Sequence, residues 1–409
     1  DIVLPLAISF FTFQQIAYLV DAYKGITHEY RFMHYALFVT FFPQLIAGPI
    51  VHHKEMLPQF MTRDNVSPRL ENITIGLTIF FIGLFKKSVL ADGVAPYSTS
   101  VFEAAATGHP VTFFVAWGGA LAYTMQLYFD FSGYSDMAIG AARLFGIRLP
   151  LNFHSPHKAV NIVEFWRRWH ITLSRFLRDY LYIPLGGNRK GKFRRYLNLF
   201  LTMLLGGLWH GAGWTFVVWG GLHGLYLAIN HAWGKLRPSL PFWFRPGKSV
   251  GKALAWSITF LAVVVGWVFF RAPDFPSAIN MLQGMAMLNG VALPNGIMVR
   301  LGGLGEQLQA LGVGTYLGRG TEFLFTWLWL LPLMLLSLFF PNTQQIMARF
   351  EPALATYEDD KKNEISTPKW LTTALQWHPS LRWSWAMGGM TLLGILALSG
   401  VSEFLYFQF

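Results

Sequence analysis

Apolar runs close to the length of a membrane span recur along this chain, at 4–20, 73–85, 111–129, 214–233, 253–270, 323–340 and 385–398. A helix needs about 20 mostly apolar residues to cross a bilayer. Shorter or glycine-broken runs at 37–51, 134–147 and 196–209 add to them. Only 13% of the residues are charged, against about 25% in a soluble domain. Lipid offers no partners to open backbone groups, so the runs are expected to be helices. The expected fold is an all-α polytopic membrane protein with roughly 8–10 membrane segments, some too short to span fully. It is read as one membrane-embedded domain over 1–409, with polar segments 278–321 and 342–381 as solvated loops.

The chain has no cysteine, which excludes disulfides, thiolate metal sites and a cysteine acyl-enzyme. The first apolar run lacks a basic flank and is not expected to be a signal peptide. The start at Asp1 without methionine leads us to expect further spans upstream. The terminal Phe404-Leu405-Tyr406-Phe407-Gln408-Phe409 is read as an interfacial tail.

The net charge of +11 is localised. Arg143, Arg148, Lys158, Arg167, Arg168, Arg175, Arg178, Arg189, Lys190, Lys192, Arg194 and Arg195 fall within 130–195, and a second basic stretch spans 235–252. The positive-inside rule places both on the cytoplasmic side. The basic residues flank membrane segments with no nucleic-acid-binding motif around them, so anionic lipid or an anionic cytoplasmic donor fits better than nucleic acid.

Two cytoplasmic blocks imply a hairpin between them, from about 196 to 233. Its first arm, 196–209, is too short for the hydrocarbon core. His210, in Gly206-Gly207-Leu208-Trp209-His210-Gly211-Ala212-Gly213-Trp214, is then expected inside the bilayer at a glycine-rich break. A titratable side chain there is costly and reads as functional by default. The plainer alternative is a buried histidine bonded to a carbonyl.

The segment 161–180 reads as a basic amphipathic helix lying in the membrane interface. Trp166, Trp169, Leu173, Phe176, Leu177 and Tyr180 form its apolar stripe, and Glu164, Arg168, Arg175 and Arg178 lie opposite. His170 is expected on the stripe side, either functional or simply interfacial. The turn Pro184-Leu185-Gly186-Gly187-Asn188-Arg189 follows.

A third polar cluster, Asp130, Ser132, Tyr134, Ser135 and Asp136, stands between apolar segments. Its carboxylates are expected to pair with nearby arginines or to cap helices. No Walker A loop, G-x-S-x-G, H-E-x-x-H or complete G-x-G-x-x-G occurs. The pairs His52-His53 and His154/His157 are weak metal candidates: adjacent side chains should diverge, and no third ligand is near in sequence. No metal is assigned.

The motifs Phe42-Pro43-Gln44-Leu45-Ile46-Ala47-Gly48-Pro49-Ile50, 128–136, 165–189 and Trp209-His210-Gly211 together resemble the membrane-bound O-acyltransferases, particularly the bacterial branch that O-acetylates alginate. The resemblance implies a helical bundle around a tunnel, with interfacial and re-entrant helices. It implies His210 as the central histidine of that tunnel and His170 as a second, more cytoplasmic polar position. The implied donor is acetyl-CoA or an acyl carrier protein thioester, with no tightly bound cofactor. His210 would activate the acceptor hydroxyl and His170 would position or polarise the thioester. Trp166, Trp169, Trp209 and Trp214 would shape the tunnel, lined further by Asp130, Ser132, Tyr134, Asp136, Asp179 and Tyr180. Arg167, Arg168 and Arg178 would attract phosphates or anchor to lipid. The resemblance also implies a bacterial inner membrane location and periplasmic acetyltransferase partners. Related systems modify peptidoglycan or cellulose. A transporter using His210 as a proton relay, or a scaffold without chemistry, are the other classes of reading.

Overall fold

The computed structural model describes residues 8–27, 31–62, 65, 67–239, 248–318, 320–354 and 367–400. The expected tail at 404–409 lies outside them. The helices are α1 (Ile8–Tyr23), α2 (Phe32–Thr40), α3 (His53–Phe60), α4 (Leu70–Phe85), α5 (Asp92–Ala106), α6 (Phe113–Leu144), α7 (Ile162–Arg168), α8 (Ile171–Leu177) and α9 (Gly191–His210). They continue as α10 (Trp214–Leu236), α11 (Lys248–Arg271), α12 (Phe275–Met285), α13 (Asn295–Arg300), α14 (Gly303–Ala310), α15 (Gly320–Phe339), α16 (Thr343–Ile346), α17 (Lys369–Ala374) and α18 (Leu381–Ala397). The segment 278–321 holds α13, α14 and a short parallel pair, β1 (Ala292–Pro294) with β2 (Gly314–Tyr316).

The helical class expected from the apolar runs is what the chain adopts. Among the described residues, three stretches are long and apolar enough to cross a membrane: Leu70–Ala106, Ser249–Arg271 and Gly320–Phe339. The first joins α4 to α5 through a π-helical turn at Lys86–Ala91. The other runs form shorter, interrupted or more polar helices.

The chain divides into two compact units. The first comprises Asp1–Val89, Phe129–Asn198 and Ser337–Gln408. Its core gathers Phe38, Val51, Met56, Ile75, Ile79, Ile139, Leu149 and Trp377. Here glycine sets the spacing between α4 and α6: a Cβ on Gly133 would lie 2.8 Å from the Gly83 carbonyl oxygen. Two lysines at the end of α4 neutralise the carboxylates of α6, with Lys87 Nζ 2.7 Å from Asp130 and Lys86 Nζ 2.8 Å from Asp136.

Those pairs correct one expectation. Residues 128–136 do not separate two helices; they lie inside the continuous 32-residue α6. The partners are lysines rather than arginines, and neither serine caps a helix. Thr343 Oγ1 donates a further bond to Asp136 at 2.6 Å.

The expected helix over 161–180 is also broken. Asn161 caps α7 by accepting from the Glu164 N–H at 2.9 Å. The chain turns at His170, whose φ of +43° is left-handed, before α8 begins. Glu164 and Arg168 are not on an exposed polar face: both are buried, as an ion pair one helical turn apart.

The second unit comprises Leu90–Tyr128 and Leu199–Leu336. Within it, α9 and α10 touch backbone to backbone, where a Cβ on Gly220 would lie 3.1 Å from the Gly207 Cα and one on Gly224 would lie 2.9 Å from the Phe200 Cα. Small residues allow such approach between helices in lipid. The arm leading to His210 is longer than the sequence suggested. α9 has 20 residues and rises about 30 Å, so a shortfall in length does not fix the depth of His210.

Candidate active site

His210 closes α9 and is buried at 8% exposure. The turn 211–213 follows, and α10 starts at Trp214. Three aromatic rings enclose the imidazole: Trp209 at 4.7 Å, Trp219 at 5.1 Å and Phe270 at 5.2 Å between centroids. Trp219 and Phe270 meet it edge-on or steeply tilted. Such a wall excludes water and leaves a small polar centre in apolar surroundings, where each electrostatic contact gains strength.

The column continues behind Trp219. His223, one turn further along α10, is fully buried with its ring 4.9 Å from Trp219. Trp267 of α11 stacks on Trp219 at 5.7 Å. Sequence reading missed Trp219, His223, Trp267 and Phe270. Gly220-x3-Gly224 was the available signal, since that spacing marks a helix contact face and Trp219 and His223 each directly precede one of its glycines. Trp214, expected to line the site, is instead 75% exposed.

In the first unit, His170 is buried at 1% exposure. Its Nδ1 lies 3.1 Å from Asn152 Oδ1. That oxygen also accepts from the Thr172 N–H at 3.3 Å and the Thr172 hydroxyl at 2.9 Å. A backbone N–H can only donate, so the Asn152 atom is the carbonyl oxygen and His170 Nδ1 carries a proton. The lone pair of the neutral ring is therefore on Nε2. Thr172 Oγ1 in turn accepts from the Ile50 N–H at 3.0 Å, tying the Gly48-Pro49-Ile50 segment to the same network. Phe131 lies edge-on to the His170 ring at 4.7 Å, and Phe153 at 6.3 Å and Phe10 at 6.3 Å stack on it.

The left-handed backbone of His170 costs on the order of 1–3 kcal/mol, and its buried network holds it there. The neutral tautomer has no proton on Nε2 to polarise a carbonyl. That chemistry needs the charged ring; the neutral one accepts a proton instead.

The remaining predicted residues divide by environment. Trp166 and Trp169 are buried, and Trp169 stacks on Phe165 at 5.7 Å. Asp130, Ser132 and Asp136 are buried within α6, and Tyr134 is half-buried. Arg168 is buried and pairs with Glu164 through Nη2. Arg178 is exposed and pairs with Asp179 at 2.7 Å. Arg167 is exposed. Tyr180 bonds His52 Nε2 at 2.7 Å. A cavity of about 220 Å³ between α5, α6 and α15 is lined by residues such as Tyr97, Glu322 and Thr326, none of them predicted site residues.

Span-length apolar helices mark a helical membrane protein, and each unit buries a histidine among aromatic rings. The chain belongs to the membrane-bound O-acyltransferase family, whose model matches residues 8–269. It is 51% identical over 312 residues to a peptidoglycan O-acetyltransferase of Helicobacter pylori, covering 69% of this chain and 57% of that protein. A probable alginate O-acetylase of Pseudomonas putida is 50% identical over 285 residues, 69% of this chain and 56% of its own length. A teichoic acid D-alanyltransferase of Streptococcus thermophilus is 29% identical over 280 residues, 65% of this chain and 68% of its own. The chain spans little more than half the length of the first two relatives.

Proposed function

We propose that the protein is a membrane O-acetyltransferase of the bacterial cytoplasmic membrane. It takes an acetyl group from a cytoplasmic thioester, acetyl-CoA or an acyl carrier protein, and passes it across the membrane toward O-acetylation of a polysaccharide such as alginate. The observation that carries this reading is His210, a buried imidazole at a helix end walled by Trp209, Trp219 and Phe270, in a chain about 50% identical to O-acetylating proteins.

The neutral His210 ring takes the proton of an acceptor hydroxyl as its oxygen attacks the thioester carbonyl. The C–S bond breaks, and the imidazolium returns the proton to the departing thiolate. A positioned general base contributes roughly a hundred- to ten-thousand-fold. With no cysteine in the chain, direct attack by the acceptor is the simplest course. His170, with its lone pair on Nε2, serves the cytoplasmic half of the path by orienting the donor or passing the proton. The first acceptor is a hydroxyl of a periplasmic partner protein or of the polymer itself. The tunnel and the re-entrant helices belong to this proposal.

Peptidoglycan is the second reading of the final acceptor, favoured by the likeness to the Helicobacter protein. The test is transfer of radiolabelled acetyl from acetyl-CoA by the purified protein, offered alginate or peptidoglycan fragments together with a periplasmic acetyltransferase, for wild type and His210→Ala. His210-dependent transfer supports the enzyme. Folded wild type that neither hydrolyses nor transfers acetyl from acetyl-CoA, nor from an acetylated acyl carrier protein offered in its place, supports a scaffold or transporter.

A further inference from the structure

A carboxylate and two imidazoles that the proposed chemistry does not use converge in the first unit. Asp21, near the end of α1, is buried at 5% exposure, and His53, the first residue of α3, at 2%. His52 precedes it as the N-cap and is one-fifth exposed. Asp21 Oδ2 lies 3.1 Å from His52 Nε2 and 3.8 Å from His53 Nε2. One ligand atom from each of the three falls within 4.8 Å of the others. The adjacent rings do not diverge, as sequence reading expected; their centroids are 4.3 Å apart. The third ligand absent from the local sequence comes from α1, 31 positions before His52.

Both nitrogens of His53 are buried without a hydrogen-bond partner among the described residues, and the buried Asp21 Oδ2 is approached by His52 Nε2. Burying polar atoms in that state is costly, and each such group calls for a partner such as a water or an ion. His53 Nε2 and Asp21 Oδ2 face each other across 3.8 Å, so one ion between them would serve both. We propose that Asp21, His52 and His53 bind a divalent transition-metal cation of the Zn²⁺ type, clamping α1 to the start of α3.

Two imidazoles and one carboxylate are a borderline-soft N/O set that suits Zn²⁺. With ligand bonds of about 2.0–2.1 Å, tetrahedral ligands stand about 3.3 Å apart. The 3.1 Å and 3.8 Å separations bracket that value, so binding needs shifts of under an ångström there. The fourth position falls to a water or to the Tyr180 hydroxyl, 2.7 Å from His52 Nε2. Tyr18 meets the His53 ring edge-on at 5.4 Å and fixes its plane.

Two groups oppose the ion and set its affinity. The Lys54 ammonium is 3.6 Å from Asp21 Oδ2, but half exposed on a flexible stem, so it can swing to solvent. The Lys54 N–H points at His52 Nδ1 over 3.3 Å, a long bond that His52 gives up when Nδ1 is protonated and Nε2 is the ligand.

The test uses protein purified in detergent without a polyhistidine tag and stripped with chelator. Zn²⁺ is titrated by calorimetry, and Co²⁺ by visible absorption. The expected result is one saturable site per chain, tetrahedral Co²⁺ bands, and a higher Tm with Zn²⁺. Asp21→Asn and His53→Gln should weaken binding at least tenfold, the exposed His378→Gln should leave it unchanged, and Lys54→Gln should tighten it several-fold. Should a core variant not fold, the partly exposed His52→Gln gives the same reading. No saturable binding, octahedral Co²⁺ bands, or equal affinity in His52→Gln and wild type overturns the site.

Discussion

The Trp219 ring stands perpendicular to the His210 ring, with centroids 5.1 Å apart and planes at 90°. The positive edge of one ring faces the negative face of the other, an arrangement worth about 0.5–1.5 kcal/mol beyond buried area. Trp219 thereby fixes the imidazole as well as sealing it. Trp219→Phe preserves a ring but loses its reach toward His210, His223 and Trp267 together. The expected outcome is a roughly tenfold fall in kcat with an unchanged elution profile, measured by acetyl transfer and size-exclusion chromatography. Trp219→Ala should instead lose about 3–5 kcal/mol of stability and read as a folding defect.

Gly207 shows two opposed effects on one residue. In a helix interior alanine is more favourable than glycine by about 1 kcal/mol. A Cβ here would overlap the Phe216 carbonyl of α10, and backbone cannot retreat as a side-chain tip can. Overpacking costs about 1–3 kcal/mol, so the clash wins. Gly207→Ala should lower Tm and activity, whereas Gly234→Ala, with open space around its Cβ, should leave Tm the same or raise it.

Much of the second unit's site was legible locally, and much was not. His210 at a helix end followed from its glycine-rich flank. The wall around it did not, because Phe270 and Trp267 are contributed by α11, more than fifty positions away. The continuity of α6 was hidden for a similar reason: Asp130 and Asp136 look like a break until Lys87 and Lys86 are placed beside them. Periodicity over 161–180 promised one helix. The break at His170 depends on Asn152 and on Ile50, 18 and 120 positions before it, which supply the bonds that repay a left-handed histidine.

The buried pair Lys87–Asp130 separates a structural from a chemical role. Asp130 is 1% exposed and Lys87 7%. Removing one partner of such a pair strands a buried charge and costs about 3–5 kcal/mol. Asp130→Asn should therefore lower Tm sharply. The double variant Lys87→Met, Asp130→Leu should recover most of it, with activity following stability. Recovery of stability without activity would assign Asp130 to the substrate path.

Stability should depend on pH through the loop between α6 and α7. Burial holds the His157 pKa down at about 3. Burial, aided by the charges of Arg168 and Lys158, lowers that of His154 to about 4. Unfolded histidine titrates near 6.5, so below that pH the unfolded chain binds more protons than the native one and stability falls. Tm in detergent should be flat above about pH 6.5 and drop between 6.5 and 4. His157→Asn, neutral throughout, should flatten that slope. An unchanged slope would show that His157 is not held neutral in the fold.

In the proposed mechanism the imidazole at position 210 removes the acceptor's proton. Chemical rescue tests it most directly: acetyl transfer by His210→Ala, with and without added imidazole, at matched detergent and protein concentration. The expected result is a loss of roughly a hundredfold or more, with partial recovery that grows with imidazole base. Transfer by His210→Ala at the wild-type rate would contradict it.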